Sequence, residues 1–424
     1  MDQPFYGRRV TPDGPLVTVV VVSWDGAHLL PQALNGLATQ DIATGLVTVV
    51  VDNGSVDGTI ELLSRDYPWV QVVTSERNLG FAGGANLGLE TVQTPYAVVL
   101  NNDARPEPSW LRELLGGFDA DGVAAVTSKV LLEPRFVALE LTGPGIHLGS
   151  VSSVSVVDTE VTGQVIARAD QGVMELLVPA PEEGSFTIQL TVRDARPGWV
   201  LGLAEGKEPT FSLFPGGTVS MDLPSDVARV DVLNSTGGLL TRSGHGADRG
   251  YLEVDRGQYD GATDVSAACG AAAAFRTDVG RSAGWFDAWL FAYYEDLDLS
   301  WRLRRAGWQI RYAPLAVVRH QHAATSRVGS DFFIYHNVRN RLVVLTRHLG
   351  VAKTLRLLAS RRTAGVQPAR QLISEPGHPA VSPLNQLRIR LLAIIAAALR
   401  LARCSARRHN RDRELMNYSP LDRA

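Results

Sequence analysis

Four short apolar runs, each separated from the next by a stretch of helical spacing, limit what this chain can fold into more than any other feature. Val17–Val22 is a near-continuous Val/Thr run; Leu46–Val51 and Tyr96–Leu100 are of the same kind, and Val70–Val73 is a shorter version. Runs without period-two alternation suit strands buried on both faces. Between them Ala27–Leu37, Ile60–Arg65 and Ala85–Val92 read as helices, with Asp57 or Thr59 available to cap the second. Strands alternating with helices predict an α/β fold with a doubly wound, mostly parallel sheet. In such sheets ligands bind beyond the C-terminal ends of the strands. The polar groups Ser23-Trp24-Asp25, Asp52-Asn53 and Asn101-Asn102-Asp103 stand in those places.

The pattern changes after residue 138. Residues 139–232 are rich in Val, Thr, Ser, Gly and Pro, with alternating stretches such as Ser185–Val192 and turn signals at Ala180–Gly184, Ala195–Gly198 and Pro215–Gly217. An inserted, sandwich-like all-β domain is expected there. Residues 233–345 return to strand, loop and helix, completing the α/β domain begun at residue 17. The remainder, 346–424, reads as helical and basic, with Thr363–Pro383 as a flexible linker.

At 424 residues the chain can hold two or three domains, and a net charge of −3 gives no reason to expect nucleic acid as partner. Two distant cysteines, Cys269 and Cys404, make neither a disulfide framework nor a zinc site, and Cys269 reads as a core thiol. Met1–Leu16 has no apolar signal core, and no stretch reaches the ~18 apolar residues of a membrane span. A cytoplasmic protein is expected. The exception is Leu384–Arg413, where an apolar stripe (Leu387, Leu391, Ile394, Ile395, Leu399) runs among arginines. It suits either peripheral contact with the inner face of the plasma membrane or packing on the rest of the protein.

Three motifs carry chemistry. Val98–Asp103 is an apolar strand ending abruptly in residues able to hold a cation. Asn78-Leu79-Gly80-Phe81-Ala82-Gly83-Gly84-Ala85-Asn86-Leu87-Gly88 places glycines ahead of a helix, where backbone N–H groups can approach an anionic ligand. It is not a Walker loop, since no Lys-Ser/Thr follows, and its spacing is not the dinucleotide-binding one. Tyr293-Tyr294-Glu295-Asp296-Leu297-Asp298 sets three acids within four residues after two tyrosines, more than helix capping requires. His320 closes a further strand, Leu315–Arg319, with His322 two residues on. Arg339-Asn340-Arg341 suits either a phosphate contact or a solvated basic face.

Taken together these segments resemble family 2 of the inverting, nucleotide-sugar-dependent glycosyltransferases of GT-A fold. The likeness covers Val17–Phe136 and Asn234–Leu345, and looks closest to bacterial rhamnosyl- and galactofuranosyltransferases. It implies a donor site from Ser23, Trp24, Asp52, Asn53, Asn78, Gly80, Gly83, Gly84 and Asn102, with Trp24 stacked on the base and Asp52 accepting from a pyrimidine N–H. It implies Mn²⁺ or Mg²⁺ held by Asp103, Asn101 and His320, where the family commonly has Asp in place of Asn101. Asp296 would be the general base, and Glu295 an acceptor contact. The implied activity moves a sugar from a UDP- or dTDP-sugar to a glycan or polyprenyl-linked glycan in cell-envelope polysaccharide synthesis. Two other readings are a non-catalytic glycan-binding scaffold and a sugar nucleotidyltransferase. The latter would want a lysine-rich glycine loop after the first strand, where Ser23-Trp24-Asp25-Gly26 stands.

Overall fold

The computed structural model describes residues 16–42, 45–157, 159, 161, 163–193, 195–204, 210–321, 330–359, 371–372 and 383–417, with side chains as far as residue 403. His322, Met1–Pro15 and most of Thr363–Pro383 lie outside the described residues.

The first segment runs β1 (Val17–Ser23), α1 (Leu30–Ala38), β2 (Leu46–Asp52), α2 (Thr59–Asp66), β3 (Gln71–Thr74), α3 (Gly80–Leu89) and β4 (Tyr96–Asn101). β1 lies between β2 and β4, parallel to both, in a register that sets Ser23 beside Asp52 and Val22 beside Asn101. Three strand ends therefore open on one edge. Val17, Val19 and Val21 pack with Leu30, Leu34 and Leu37 of α1, whereas Val20, Val49 and Val51 pack with Ala82, Ala85 and Leu89 of α3. With helices on both faces, neither side of the strand has a reason to be polar.

The glycine string differs from its expected form. α3 starts at Gly80, so Gly83, Gly84 and Gly88 lie within the helix and not in a loop before it. A Cβ added at Gly84 would stand 2.7 Å from Val22 Cγ1, and one at Gly88 2.5 Å from Val20 Cγ1. Close seating of the helix on β1 and β2 offsets the ~1 kcal/mol that each mid-helix glycine costs.

The chain continues through β5 (Ala104–Pro106), α4 (Trp110–Gly116) and β6 (Val123–Leu132). It then leaves for β7 (Phe136–Thr142), β8 (Val151–Val157), β9 (Ile166–Asp170), β10 (Val173–Pro179), β11 (Phe186–Val192), β12 (Val200–Leu203), β13 (Phe211–Ser212) and β14 (Thr218–Leu223). These form two sheets, β13-β12-β7-β10-β9 and β14-β11-β8, closed over a core that includes Leu139, Leu176, Ile188, Leu190 and Trp199. The period-two alternation of β11, buried at Phe186, Ile188, Leu190 and Val192, is that of a strand with one wet face. Entry and exit lie side by side: the Leu132 N–H donates to the Val232 carbonyl at 2.7 Å, and Phe136 bridges Val230.

On return, β15 (Leu233–Ser235) pairs antiparallel with β6. A hairpin of β16 (Gly238–Leu240) and β17 (Gly246–Asp248) follows, then β18 (Ala272–Arg276), α5 (Thr277–Ser282), α6 (Glu295–Arg305) and β19 (Gln309–His320). β18 fills the slot between β4 and β6, antiparallel to each, and β19 runs parallel to β6. The completed order is β3-β2-β1-β4-β18-β6-β19-β5, a mixed sheet whose first half is wholly parallel. The last elements are α7 (Asp331–Leu349), α8 (Val351–Ala359), β20 (Gln371–Leu372) and α9 (Pro383–Asn417). β20 lies in the expected linker yet pairs with the edge strand β9. Among the described residues no helix is long and apolar enough to cross a membrane.

Candidate active site

β5 pairs with the end of β19, setting Ala104 beside His320 and so bringing Asp103 against that histidine. Asp103 Oδ1 lies 3.0 Å from His320 Nε2, and both residues are buried. On the other side of the ring, Nδ1 stands 2.6 Å from Asn234 Oδ1, so it is the donor there and Nε2 turns toward Asp103. The Asn101 amide nitrogen is 3.3 Å from the same Nε2. Burial by itself lowers the His320 pKa, but the charge and hydrogen bond of Asp103, helped by Asp248 and Glu133, carry it above the ordinary value.

One carboxylate, one imidazole fixed in orientation by Asn234, and an adjacent amide make a donor set compatible with Mn²⁺ or Mg²⁺. Among the described residues no three His, Cys, Asp or Glu side chains converge on one point. Such a pair therefore fits an ion completed by substrate oxygens and water, not a closed protein cage. An ion bound there would replace the proton that His320 otherwise shares with Asp103.

The second half of the site is the start of α6. Its N-cap, Tyr294, has a left-handed backbone (φ 73°), as do Tyr293 (68°) and Phe291 (67°). Non-glycine residues held there carry strain and need support from their surroundings. Asn340, fully buried on α7, gives that support: its amide donates to the carbonyls of Leu290, Ala292 and Tyr293 at 2.8, 2.8 and 2.7 Å. Arg339 donates to the Leu290 and Trp289 carbonyls and lies over the Trp289 ring. Arg341 donates to the carbonyls of Ser243 and Gly244. Arg339 and Asn340 thus clamp the loop before α6, while Arg341 clamps the turn between β16 and β17, so the run is not a solvated basic face.

From that loop Glu295 and Asp296 enter the site. Asp296 is half-buried; its Oδ2 accepts from the Gly270 N–H at 2.9 Å and its Oδ1 from the Leu297 N–H at 2.7 Å. Burial raises its pKa against the pull of those N–H groups. Glu295 is buried, its Oε2 has no hydrogen-bond partner among the described residues, and burial plus the nearby Asp296 charge push its pKa well up. Asp298, third of the sequence acids, is turned inward to Arg302, Arg347 and His348 and belongs to the scaffold.

Two consecutive residues join the halves. Gly270 donates to Asp296, and the carbonyl of Ala271 accepts from the Asn101 N–H at 2.9 Å. Asp248, at the end of β17, lies between them. Burial raises its pKa to about 6 despite hydrogen bonds with Ser235 and Cys269, and it feels the charges of both Asp296 and His320. Cys269 packs against the apolar core, as expected, and borders this cluster, its thiol pushed up by burial and by Asp248 and Asp296. Asn234, Asp248 and Gly270 were not singled out from sequence. Asn234 had a usable signal, a polar residue in the first strand after the insertion; the other two had none.

On the donor side, Trp24 is 43% exposed at the end of β1, open to a planar partner. Asp52 is buried, one oxygen accepting from the Ser55 N–H at 3.3 Å. Asn53, Asn78, Ser23 and Asn102 are occupied with one another or with backbone. Asn53 donates to the Gly80 carbonyl and to Asn78 Oδ1 and accepts from the Leu79 N–H, while Asn102 donates to Ser23 Oγ. They hold the strand ends in place. Gly54 (φ 81°) lets its turn press on the Arg77 backbone, 2.8 Å from where a Cβ would stand.

Residues 18–135 match glycosyl transferase family 2, and residues 243–374 match glycosyl transferase family group 2. The two matches together take in more than half of the chain, and the interval between them contains the β-sandwich. The chain belongs to glycosyltransferase family 2. It is 24% identical over 323 residues to a pre-mycofactocin glycosyltransferase of Mycobacterium tuberculosis, covering 74% of this chain and 45% of that one. It is 31% identical over 109 residues to the succinoglycan biosynthesis protein ExoO of Rhizobium meliloti, covering 26% and 31%. The chain thus spans less than half the length of these relatives. Superposition on GalNAc-T7 solved with UDP, GalNAc and Mn²⁺ gives a TM-score of 0.45 at 12% identity over 78% of this chain and 48% of that one. A mannosyltransferase of Pyrobaculum calidifontis, solved with GDP-Man and Mn²⁺, gives 0.41 at 16% over 97% and 84%. Overlaps of that size carry no detail of the site.

Proposed function

We propose that this protein is a metal-dependent inverting glycosyltransferase that moves a sugar from a UDP- or dTDP-sugar to a glycan or polyprenyl-linked glycan in cell-envelope polysaccharide synthesis. The observation that carries the reading is the junction at Gly270-Ala271, which ties the Asp296 carboxylate to the strand that ends in Asn101 and Asp103. A cation-competent pair and a general-base candidate thereby share one edge of the sheet. A nucleotidyltransferase has no use for that base.

In this reading Trp24 stacks on the base and Asp52 accepts from its N–H. Asp103 and His320, with Asn101 beside them, hold the cation. When bound, that ion supplies the positive charge that a departing diphosphate requires. Asp296 takes the proton of the acceptor hydroxyl as that oxygen attacks the anomeric carbon from the face opposite the leaving group, inverting the configuration. Its raised pKa makes it a stronger base than an exposed aspartate, and two backbone N–H groups fix its direction. Glu295, whose pKa burial and the Asp296 charge push up, contacts the acceptor. The likeness to rhamnosyl- and galactofuranosyltransferases narrows the donor to test first. Peripheral contact of Leu384–Arg413 with a cytoplasmic membrane face belongs to the same reading.

The test is thermal unfolding with UDP, dTDP and their sugar derivatives, with and without Mn²⁺ or Mg²⁺, on wild type and Asp103→Ala. A ligand at ~100 times its dissociation constant adds about 2.7 kcal/mol. The expected result is a metal-dependent rise with one nucleotide class that the variant loses. A well-folded protein that no nucleotide stabilises would instead be a glycan-binding scaffold.

A further inference from the structure

α9 is apolar on both of its sides. Ile389, Ala393 and Ala397, four residues apart, are buried, and Ala397 lies in the cluster with Val343 and Val344 of α7. Leu387, Leu391, Ile395 and Leu399 repeat at the same spacing on the opposite side and are 56, 52, 56 and 56% exposed. Leu384, Leu392 and Ile394 widen that outer face and are 81, 49 and 47% exposed. The stripe noted in the sequence therefore does not pack on the protein; the small residues between do. A helix with one apolar face packed inward and a second exposed to water needs a second apolar partner.

Charge selects the partner. From Leu384 to Arg411 there are seven arginines and no Asp or Glu. Arg388 and Arg390 are exposed within the stripe itself. A second copy docked by the same face would set these arginines against each other with no carboxylate between residues 384 and 411 to answer them. Anionic headgroups answer them, and acyl chains take the leucines.

The face also has a fixed relation to the site. Asn385 on α9 donates to Asp331 on α7 at 3.0 Å, and their chain neighbours Leu384 and Phe332 are 81 and 40% exposed. The Phe332 ring lies 6.0 Å from Phe291 and 6.3 Å from Tyr293, the strained residues that lead into Glu295. We propose that the outer face of α9, with Phe332 at its edge, docks on an anionic lipid surface and so holds the start of α6 against that surface. The orientation of the site toward a lipid-borne acceptor rests on the transferase reading; the docking does not.

The experiment is co-sedimentation of the full chain with vesicles of phosphatidylglycerol and phosphatidylcholine, and of phosphatidylcholine alone. Wild type and the triple variant Leu387→Ser/Leu391→Ser/Ile395→Ser are compared, with Arg388→Gln/Arg390→Gln as a second variant. Wild type should bind the anionic vesicles and be weakened by salt. The triple variant should lose binding at least tenfold on both vesicles, and the arginine variant only its preference for anionic ones. Equal binding by wild type and the triple variant would overturn the proposal, as would no binding by wild type. So would a concentration-dependent dimer abolished by the same substitutions, which would make a second copy the occupant. Nucleotide stabilisation is measured on the same preparations. Its retention when vesicle binding is absent would sink the docking alone, and its absence beside intact docking would sink the transferase reading alone.

Discussion

On the inner side of α6, Asp298 is fully buried yet meets Arg302, Arg347 and His348 at 2.9, 2.8 and 2.9 Å, and its pKa falls to about 2. Burial opposes that fall; His348, Arg347 and Arg302 outweigh it. Two and three residues earlier, on the same first turn, Asp296 and Glu295 make no ion pair among the described residues, and burial raises their pKa values. Identical chemistry in one helical turn therefore yields an anion held for the fold and two carboxyls held at a cost to it. That division is the expected mark of a functional site, where a group is kept in a state its surroundings disfavour.

The comparison can be broken by experiment. With the donor in hand, Asp296→Asn should cut kcat by roughly 10²–10⁴-fold, the span of general-base catalysis, while thermal stability holds or rises. An active Asp296→Asn enzyme would remove Asp296 as base and turn attention to Glu295. Asp298→Ala should do the reverse, lowering unfolding free energy in urea by about 3–5 kcal/mol because two arginines lose their buried partner. A loss below ~1 kcal/mol would mean that the cluster is solvated. The smallest effect concerns Asp248, whose pKa is raised from 3.8 to about 6. A raised carboxyl binds protons more tightly folded than unfolded, so its contribution is favourable at low pH and is lost as pH climbs through that window. Asp248→Asn should therefore gain up to about 3 kcal/mol over wild type above pH ~7 and nothing below pH ~4. Asp298 has the opposite sign: its stabilisation is present above 3.8 and fades as pH falls toward about 2.

Much of the fold was legible because burial on both faces writes itself into strands such as Val17–Val22 without alternation. The strand ends were legible too, since Asn101-Asn102-Asp103 breaks an apolar run abruptly. Local composition misled at the glycine string: Gly83 and Gly84 read as loop, but the helix runs through them, and the contact of Gly84 with Val22 leaves no room for a Cβ. Arg339 and Asn340 misled for the converse reason. A polar helical face cannot announce which carbonyls it will meet, and theirs lie in a loop some fifty residues upstream. Asp248 and Gly270 enter from the β16–β17 hairpin and from the turn before β18, brought to the site by the tertiary fold, which no single segment encodes.

The sheet order has a consequence for the growing chain. β4 and β6 are both made before β18, yet β18 is the strand that lies between them. Until Ala272–Arg276 emerges, the two strands facing that slot have open edges, with Val98, Val99 and Val126 beside unanswered backbone groups. The all-β module is synthesised during this interval and has a core of its own, so it can finish first and sit beside an unfinished sheet. A polypeptide stopped short of residue 272 would present two sticky strand margins to its neighbours, whereas one carried past residue 276 brings its own seal.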